Sequence, residues 1–206
     1  MSTPRGGQFR ATLPDGSKVW LNAASSITYP TAFGDKERRV QVKGEVYIEV
    51  AENAQLPFFL NASPVEIAVL GTAFNVSAYE DETHITTTLV SGSIAVNAGG
   101  RATPVKPGQQ AAYANDVFQL NEQADVEQAT AWKKGVFYFK DAGLDVVLRE
   151  LARWYDVQVV YEGVVPRRSF RGEIGRDLSL QQVLKGLGDM GVKFRIEDGR
   201  RLVVTP

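Results

Sequence analysis

The hydrophobic period of this chain changes once, near Trp132, and that change limits what the chain can fold into. Before it, apolar and polar residues alternate with period two, the spacing of a strand with one face in a core. Gln8 to Leu13, Lys18 to Leu21, Val40 to Val50, Val65 to Leu70, Thr72 to Tyr79, Ile85 to Val90 and Ser93 to Asn97 are short runs of this kind. Thr, Val, Ile, Tyr and Phe dominate them, as suits a pleated, half-buried surface. Turn signals separate the runs. Pro14-Asp15-Gly16 supplies a fixed φ, a side-chain acceptor and a residue free to take positive φ, and Ser91-Gly92, Gly99-Gly100 and Pro107-Gly108 serve later turns. No stretch long enough for a crossover helix interrupts the strands, which argues against a parallel α/β sheet. An all-β N-terminal domain is predicted, an antiparallel sandwich or a solenoid-like stack.

Beyond Trp132 the period lengthens. Leu144, Val147, Leu148 and Leu151 fall on one helical stripe, and Leu180, Val183, Leu184 and Leu187 repeat it 36 residues later. Asp141 is a candidate N-cap for the first helix, and Ser179 with Gln182 reads as a capping box for the second. Val157 to Tyr161 and Ser169 to Ile174 read as strands, and Val192 to Ile196 with Arg201 to Val204 as a hairpin around Asp198-Gly199. The second part is therefore predicted as a small α+β domain of two βαβ-type units in tandem. Gln123 to Ala131, polar and poor in β-branched residues, reads as the linker, giving domains 1–130 and 131–206.

Composition narrows the chemistry. The chain has no cysteine and one histidine, which removes thiolate zinc sites, redox CxxC motifs and cysteine nucleophiles. No apolar run approaches the length of a membrane helix. The opening Met-Ser-Thr-Pro-Arg-Gly-Gly reads as a start just after a membrane anchor. The net charge of −1 hides an asymmetry: residues 1–132 carry 9 Lys+Arg against 14 Asp+Glu, and residues 133–206 carry 14 against 10. A bias of that size is too small for nucleic acid, but it allows a docking face for an acidic partner.

Ordered blocks carry a family likeness. Thr3 to Phe9, Leu13 to Ser17 and Val19 to Ala23, then Gly44 to Val50 with Pro57-Phe58, Leu70 to Val76, Ser91-Gly92 and Pro107-Gly108-Gln109 resemble a FecR domain in sequence and order. Phe137-Tyr138-Phe139, Leu144 to Tyr155, Val159-Val160-Tyr161 and Leu178-Ser179-Leu180 resemble the small domain that follows it in these regulators. That domain is similar to the secretin and TonB short N-terminal (STN) fold. The resemblance implies a periplasmic signal-relay module on the outer side of the inner membrane, not an enzyme, with no cofactor. It implies two partners: the periplasmic signalling domain of a TonB-dependent, SusC-like transporter, and an extracytoplasmic-function sigma factor held by a cytoplasmic segment absent from this chain. Contact with the membrane runs through an anchor helix that is likewise absent. Glycan uptake is the implied context. A secreted or surface carbohydrate-binding or adhesive β-domain is the alternative.

Individual residues invite sharper readings. His84 stands beside Glu80, Asp81 and Glu82, yet the pattern is that of a charged turn between strands. Glu45 with Glu49, or Glu49 with Glu66, could be drawn as a glycosidase pair, but strand carboxylates are ordinarily solvated. Gly6-Gly7 and Gly16 lack the following helix that a phosphate loop needs. Trp20, Tyr29 and Phe33 could form a sugar platform, against a core role. Arg167, Arg168, Arg171 and Arg176 are the densest basic stretch. The expected docking surface combines Arg167, Arg168 and Arg171 with the final strand, Arg201, Leu202, Val203 and Val204, expected at a sheet margin because nothing downstream covers it.

Overall fold

The first 121 residues form strands β1 (Phe9–Thr12), β2 (Lys18–Leu21), β3 (Ser26–Thr28), β4 (Arg38–Glu49), β5 (Phe58–Ala62), β6 (Val65–Val69), β7 (Ala73–Ala78), β8 (Ile85–Ser91), β9 (Ile94–Ala98), β10 (Arg101–Val105), β11 (Gln110–Ala114) and β12 (Val117–Asn121), seven of them on the alternating runs. The structure, a computed structural model, describes residues 1–163, 167–189 and 191–205. The chain divides into two units, Met1–Thr130 and Ala131–Pro206. Among the described residues, no helix is long and apolar enough to cross a membrane.

In the first unit the strands run β10-β9-β6-β5-β4-β7-β8-β11-β12, with β3 and the β1–β2 hairpin also joined to β4. Strand β4 belongs to two sheets. Its first part pairs with β5 and β3, and its second part with β7 and β2. Gly44, at φ 76, sits between the two parts, and a Cβ there would lie 2.4 Å from Ser25 Oγ. Only glycine fits that corner. The pairing with β5 is parallel, a departure from the all-antiparallel expectation.

The parallel pair needs β4 to curl back on itself. Twelve extended residues would span about 40 Å, yet Arg38 at the start of β4 reaches the backbone just past its end. Its Nη1 donates to the Ala51 carbonyl at 2.8 Å and its Nε to the Leu56 carbonyl at 2.9 Å. The same Nη1 pairs with Asp15 Oδ2 at 2.7 Å, while Arg38 is only 1% exposed. Asp15 stands in the β1–β2 turn, where it also accepts from the Ser17 hydroxyl, and Ser17 Oγ in turn accepts from Ala51 N–H. One guanidinium thus ties the turn, the start of β4 and the returning loop. Val19, Ile48, Phe58, Ile67, Phe74 and Leu89 are fully buried around it in one core.

Five of these strands lack the expected pattern. Ser26–Thr28 is very short, and Phe58–Ala62 follows directly on a proline. Gln110–Ala114 is rich in alanine and becomes a strand because β8 and β12 offer partners on both sides. Val117–Asn121 is an exposed edge beside it, and Arg101–Val105 tolerates Pro104 because it too lies at an edge. The expected linker is partly helical: α1 (Val126–Thr130) is capped by Asp125, whose Oδ1 accepts from Gln128 N–H, and a 3-10 turn covers Ala131–Lys134.

The second unit holds β13 (Val136–Gly143), α2 (Leu144–Tyr155), β14 (Gln158–Tyr161), β15 (Ser169–Gly175), α3 (Leu180–Gly188), β16 (Lys193–Glu197) and β17 (Arg201–Thr205). Both helical stripes face its core, with Leu148 and Leu151 fully buried and Leu184 at 7% exposure. The Ser179–Gln182 capping box is present. Asp141 does not cap α2. The N-cap is Gly143, because β13 runs directly into the helix, and Asp141 lies in a bulge of that strand at φ 55. The sheets are β13-β15, antiparallel, and β14-β17-β16, in which β14 is parallel to β17.

Two stability predictions follow from this packing. Asp15→Ala leaves Arg38 buried without its countercharge and is expected to cost about 3–5 kcal/mol. Leu148→Ala and Leu184→Ala are each expected to cost about 2–5 kcal/mol, with Leu148 at the upper end because its site is closed to solvent. Urea melts of the full chain read all three, and a loss under about 1 kcal/mol at either leucine would contradict the packing of α2 and α3.

Candidate functional site

Residues 79–84 form the connection between β7 and β8, and His84 is exposed there, with Thr83 Oγ1 2.7 Å from its Nδ1. Among the described residues, no group of three or more histidine or acidic side chains is placed to hold a metal. Glu45 is a structural acceptor: Asn22 Nδ2 donates to it at 2.7 Å and Asn75 Nδ2 at 3.0 Å. Glu66 pairs with Arg39. Glu45 and Glu66 are thus engaged by separate partners. Trp20 does not share a platform with Tyr29 and Phe33. Those two pack against the core, whereas Trp20 alternates with buried Val19 and Leu21 and carries the Arg10 guanidinium 4.7 Å over its ring. Gly16, at φ 87, closes the β1–β2 turn.

The motif blocks of the first unit are packing sites. At Gly71 a Cβ would lie 2.9 Å from the Glu52 backbone, and at Gly92 it would lie 2.8 Å from the Gly71 carbonyl. Thr72 Oγ1 donates to the Ser93 carbonyl at 3.1 Å, holding the same crossing together. Near Gly44, Tyr79 donates to the Ala23 carbonyl at 2.7 Å, and Glu45 N–H to Ser25 Oγ at 2.8 Å. These residues fix where strands cross.

The second unit carries the surface features. Arg167, Arg168 and Arg171 are exposed at the start of β15. Arg171 pairs with Asp141 across the bulge, which raises its pKa further above the usual guanidinium value through that hydrogen bond. Arg176 does not belong to this rim. It is buried, with its guanidinium 4.4 Å over the Phe137 ring and 5.1 Å over that of Trp154.

The final strand requires a correction. β17 is the centre of its sheet, paired with β14 on one side and β16 on the other, so it has no free edge. Leu202, Val203 and Val204 are at 0% exposure, and Arg201, exposed, pairs with Glu197. The end of a chain need not be the margin of a sheet: the hairpin with β16 carries β17 back beside β14, and the apolar run fills the slot between them.

The other expected strand keeps an open edge. Among the described residues β15 pairs only with β13, and its far side faces α3 across a groove of about 320 Å3. Phe170, Ile174, Leu178, Val183 and Leu187 give the groove an apolar lining. Phe139, buried at 2% exposure, forms part of the floor, and its cross-strand partner is Gly172. Gly172 and Gly186 both line the groove, and a Cβ at either would meet nothing within 4 Å. Tyr155 donates to the Leu178 carbonyl at 2.7 Å and so holds one end of the groove, and burial raises its pKa and keeps it a donor. The spacing of Gly172 and Gly186 in the chain gave no sign that both would line one groove.

Comparison with known proteins covers both units. The family model for FecR protein matches residues 1–95, and that for the FecR C-terminal region matches residues 136–204. No curated protein matches the chain. Two crystal structures of a proposed anti-sigma factor from Parabacteroides distasonis ATCC 8503 are similar to it, each with a TM-score of 0.90 at 29% identity. The alignments cover 99% and 100% of this chain, and 97% of the other chain in both cases. With both units matched in order, the chain belongs to the FecR family of anti-sigma factors, which are signalling regulators.

Proposed function

We propose that this chain is the periplasmic part of a transmembrane anti-sigma regulator that relays a signal from a TonB-dependent outer-membrane transporter to an extracytoplasmic-function sigma factor. The observation that carries this reading is the end-to-end likeness: two models of one family match in order, and a proposed anti-sigma factor superimposes over nearly its whole length. The sigma factor is held by a cytoplasmic segment, and the membrane is crossed by an anchor helix, both outside the sequence considered. The second unit, STN-like in this reading, receives the transporter's periplasmic signalling domain. Glycan uptake is the context we favour, on the resemblance to regulators paired with SusC-like transporters.

The charge distribution supports docking on the second unit. Its surplus of four positive charges contrasts with the acidic first unit, and Arg167, Arg168 and Arg171 place exposed cations along one stretch. Charges of this exposure act mainly on association rate and are screened by salt.

Binding of the full chain to the transporter's signalling domain, followed by calorimetry, tests the reading. Reversing Arg167, Arg168 and Arg171 to Glu is expected to weaken binding about tenfold or more in low salt and much less at about 0.5 M, where the Debye length is a few ångströms. The melt should be unchanged. No binding by the unaltered chain, together with direct affinity for a glycan, would replace the relay by a carbohydrate-binding role.

A further inference from the structure

We propose that the open edge of β15 and the groove beneath α3 form a strand-acceptor site. Its occupant is an extended segment of the sensor domain, with one apolar side chain seated between Gly172 and Gly186 and acidic side chains toward Arg167 and Arg168. The identity of the occupant rests on the relay reading above; the chemistry of the site does not.

Three observations combine. First, a strand with one unpaired side presents a row of backbone N–H and C=O groups, and only another extended backbone satisfies them in register. Among the described residues β15 has one partner, β13, and its second edge borders the groove.

Second, the groove is built for a side chain. Its lining is mainly apolar and includes two glycines, with open space where a Cβ at either would stand. Gly186 sits inside α3 and is exposed, a position where glycine costs helix stability of about 1 kcal/mol relative to alanine. Nothing local requires it: its Cβ direction is open and its φ is not positive. Added strands draw affinity from main-chain hydrogen bonds and specificity from pockets for alternate side chains. A void of this kind next to an open edge is such a pocket.

Third, the charge is polarised along the strand. Arg167 and Arg168 precede Ser169, the first residue of β15, and both are exposed. A Cβ on Gly191 would lie 3.5 Å from Arg168 Nη2, so this guanidinium lies against the loop leaving α3. Away from these arginines the groove presents Leu178, at 37% exposure, and its lining also includes Glu173 and Gln182. An acceptor that is cationic at one end and apolar at the other selects a strand with acidic residues at one end and an apolar residue beyond them.

Gly186→Leu tests the site without harming the fold, since leucine fills the groove while raising helix propensity. Gly186→Ala is the control, adding one methyl and leaving most of the space. The probes are the transporter's signalling domain and a capped seven-residue peptide that alternates valine or leucine with glutamate, each titrated into isotope-labelled full chain. Amides of residues 169–175 are expected to shift and to exchange more slowly with either probe. The Leu variant should bind at least tenfold more weakly, the Ala variant within about threefold, and both should melt no lower than the parent. Peptide binding at β15 with no binding of the signalling domain would keep the acceptor site and remove the relay reading. Equal binding of the signalling domain by parent and Leu variant would overturn the site and leave the relay standing. Shifts confined to other strands would overturn it too. So would self-association through residues 169–175, which would assign the edge to a second copy of the chain.

Discussion

The first unit depends on the closure of β4 by the Arg38 guanidinium. A strand of twelve residues that changes sheets at Gly44 must bring its far end back toward its start for β5 to lie parallel to its first part. The Arg38 side chain spans that return, bound to the carbonyls of Ala51 and Leu56 and to the Asp15 carboxylate. A buried cation is tolerated when it is paired and hydrogen-bonded. Here Nε and Nη1 find partners in the β1–β2 turn and the loop after β4, while the buried Nη2 has no hydrogen-bond partner among the described residues. The arrangement specifies the path of the chain more than it adds net stability. A hydrophobic residue in its place could fill the volume but would leave the carbonyls without donors.

This closure explains why the family blocks of the first unit lie where its strands meet. The Leu13 to Ser17 block supplies Asp15 and Ser17, the Gly44 block supplies the corner, and the Leu70 to Val76 and Ser91-Gly92 blocks meet where Gly71 and Gly92 cross. Each has a packing reason at the level of single atoms. The second unit uses its own motifs in a similar way, with Ser179 and Gln182 closing the start of α3 and Gly143 joining β13 to α2. The exposed Arg167, Arg168 and Arg171 lie in a stretch with a weaker pattern.

The tandem repeat shows how similar local units end in different environments. Both helices present the same stripe to one core, and Leu144 and Leu180 keep the 36-residue offset. Yet the strand before α2 runs straight into its helix, whereas a turn separates β15 from α3, and the two C-terminal strands add a hairpin that the first unit of the repeat lacks. As a result β17 is paired on both sides while β15, among the described residues, has β13 as its one partner.

By itself the sequence determined the classes of element and the switch between them. Period two gave seven of the strands up to residue 98, and the two leucine stripes gave α2 and α3, with the cap of α3 but not that of α2, because burial of one face and local hydrogen bonding are encoded within a few residues. The motif blocks were legible for the same reason. Strand order was not: Leu202, Val203 and Val204 read the same whether they form an edge or a centre, since pairing is settled by which distant strand arrives beside them. The weak strands β3, β5, β10, β11 and β12 likewise exist because a neighbour offers an edge. The groove belongs wholly to the tertiary structure, for two glycines separated along the chain line one pocket only when β15 and α3 are brought to either side of it.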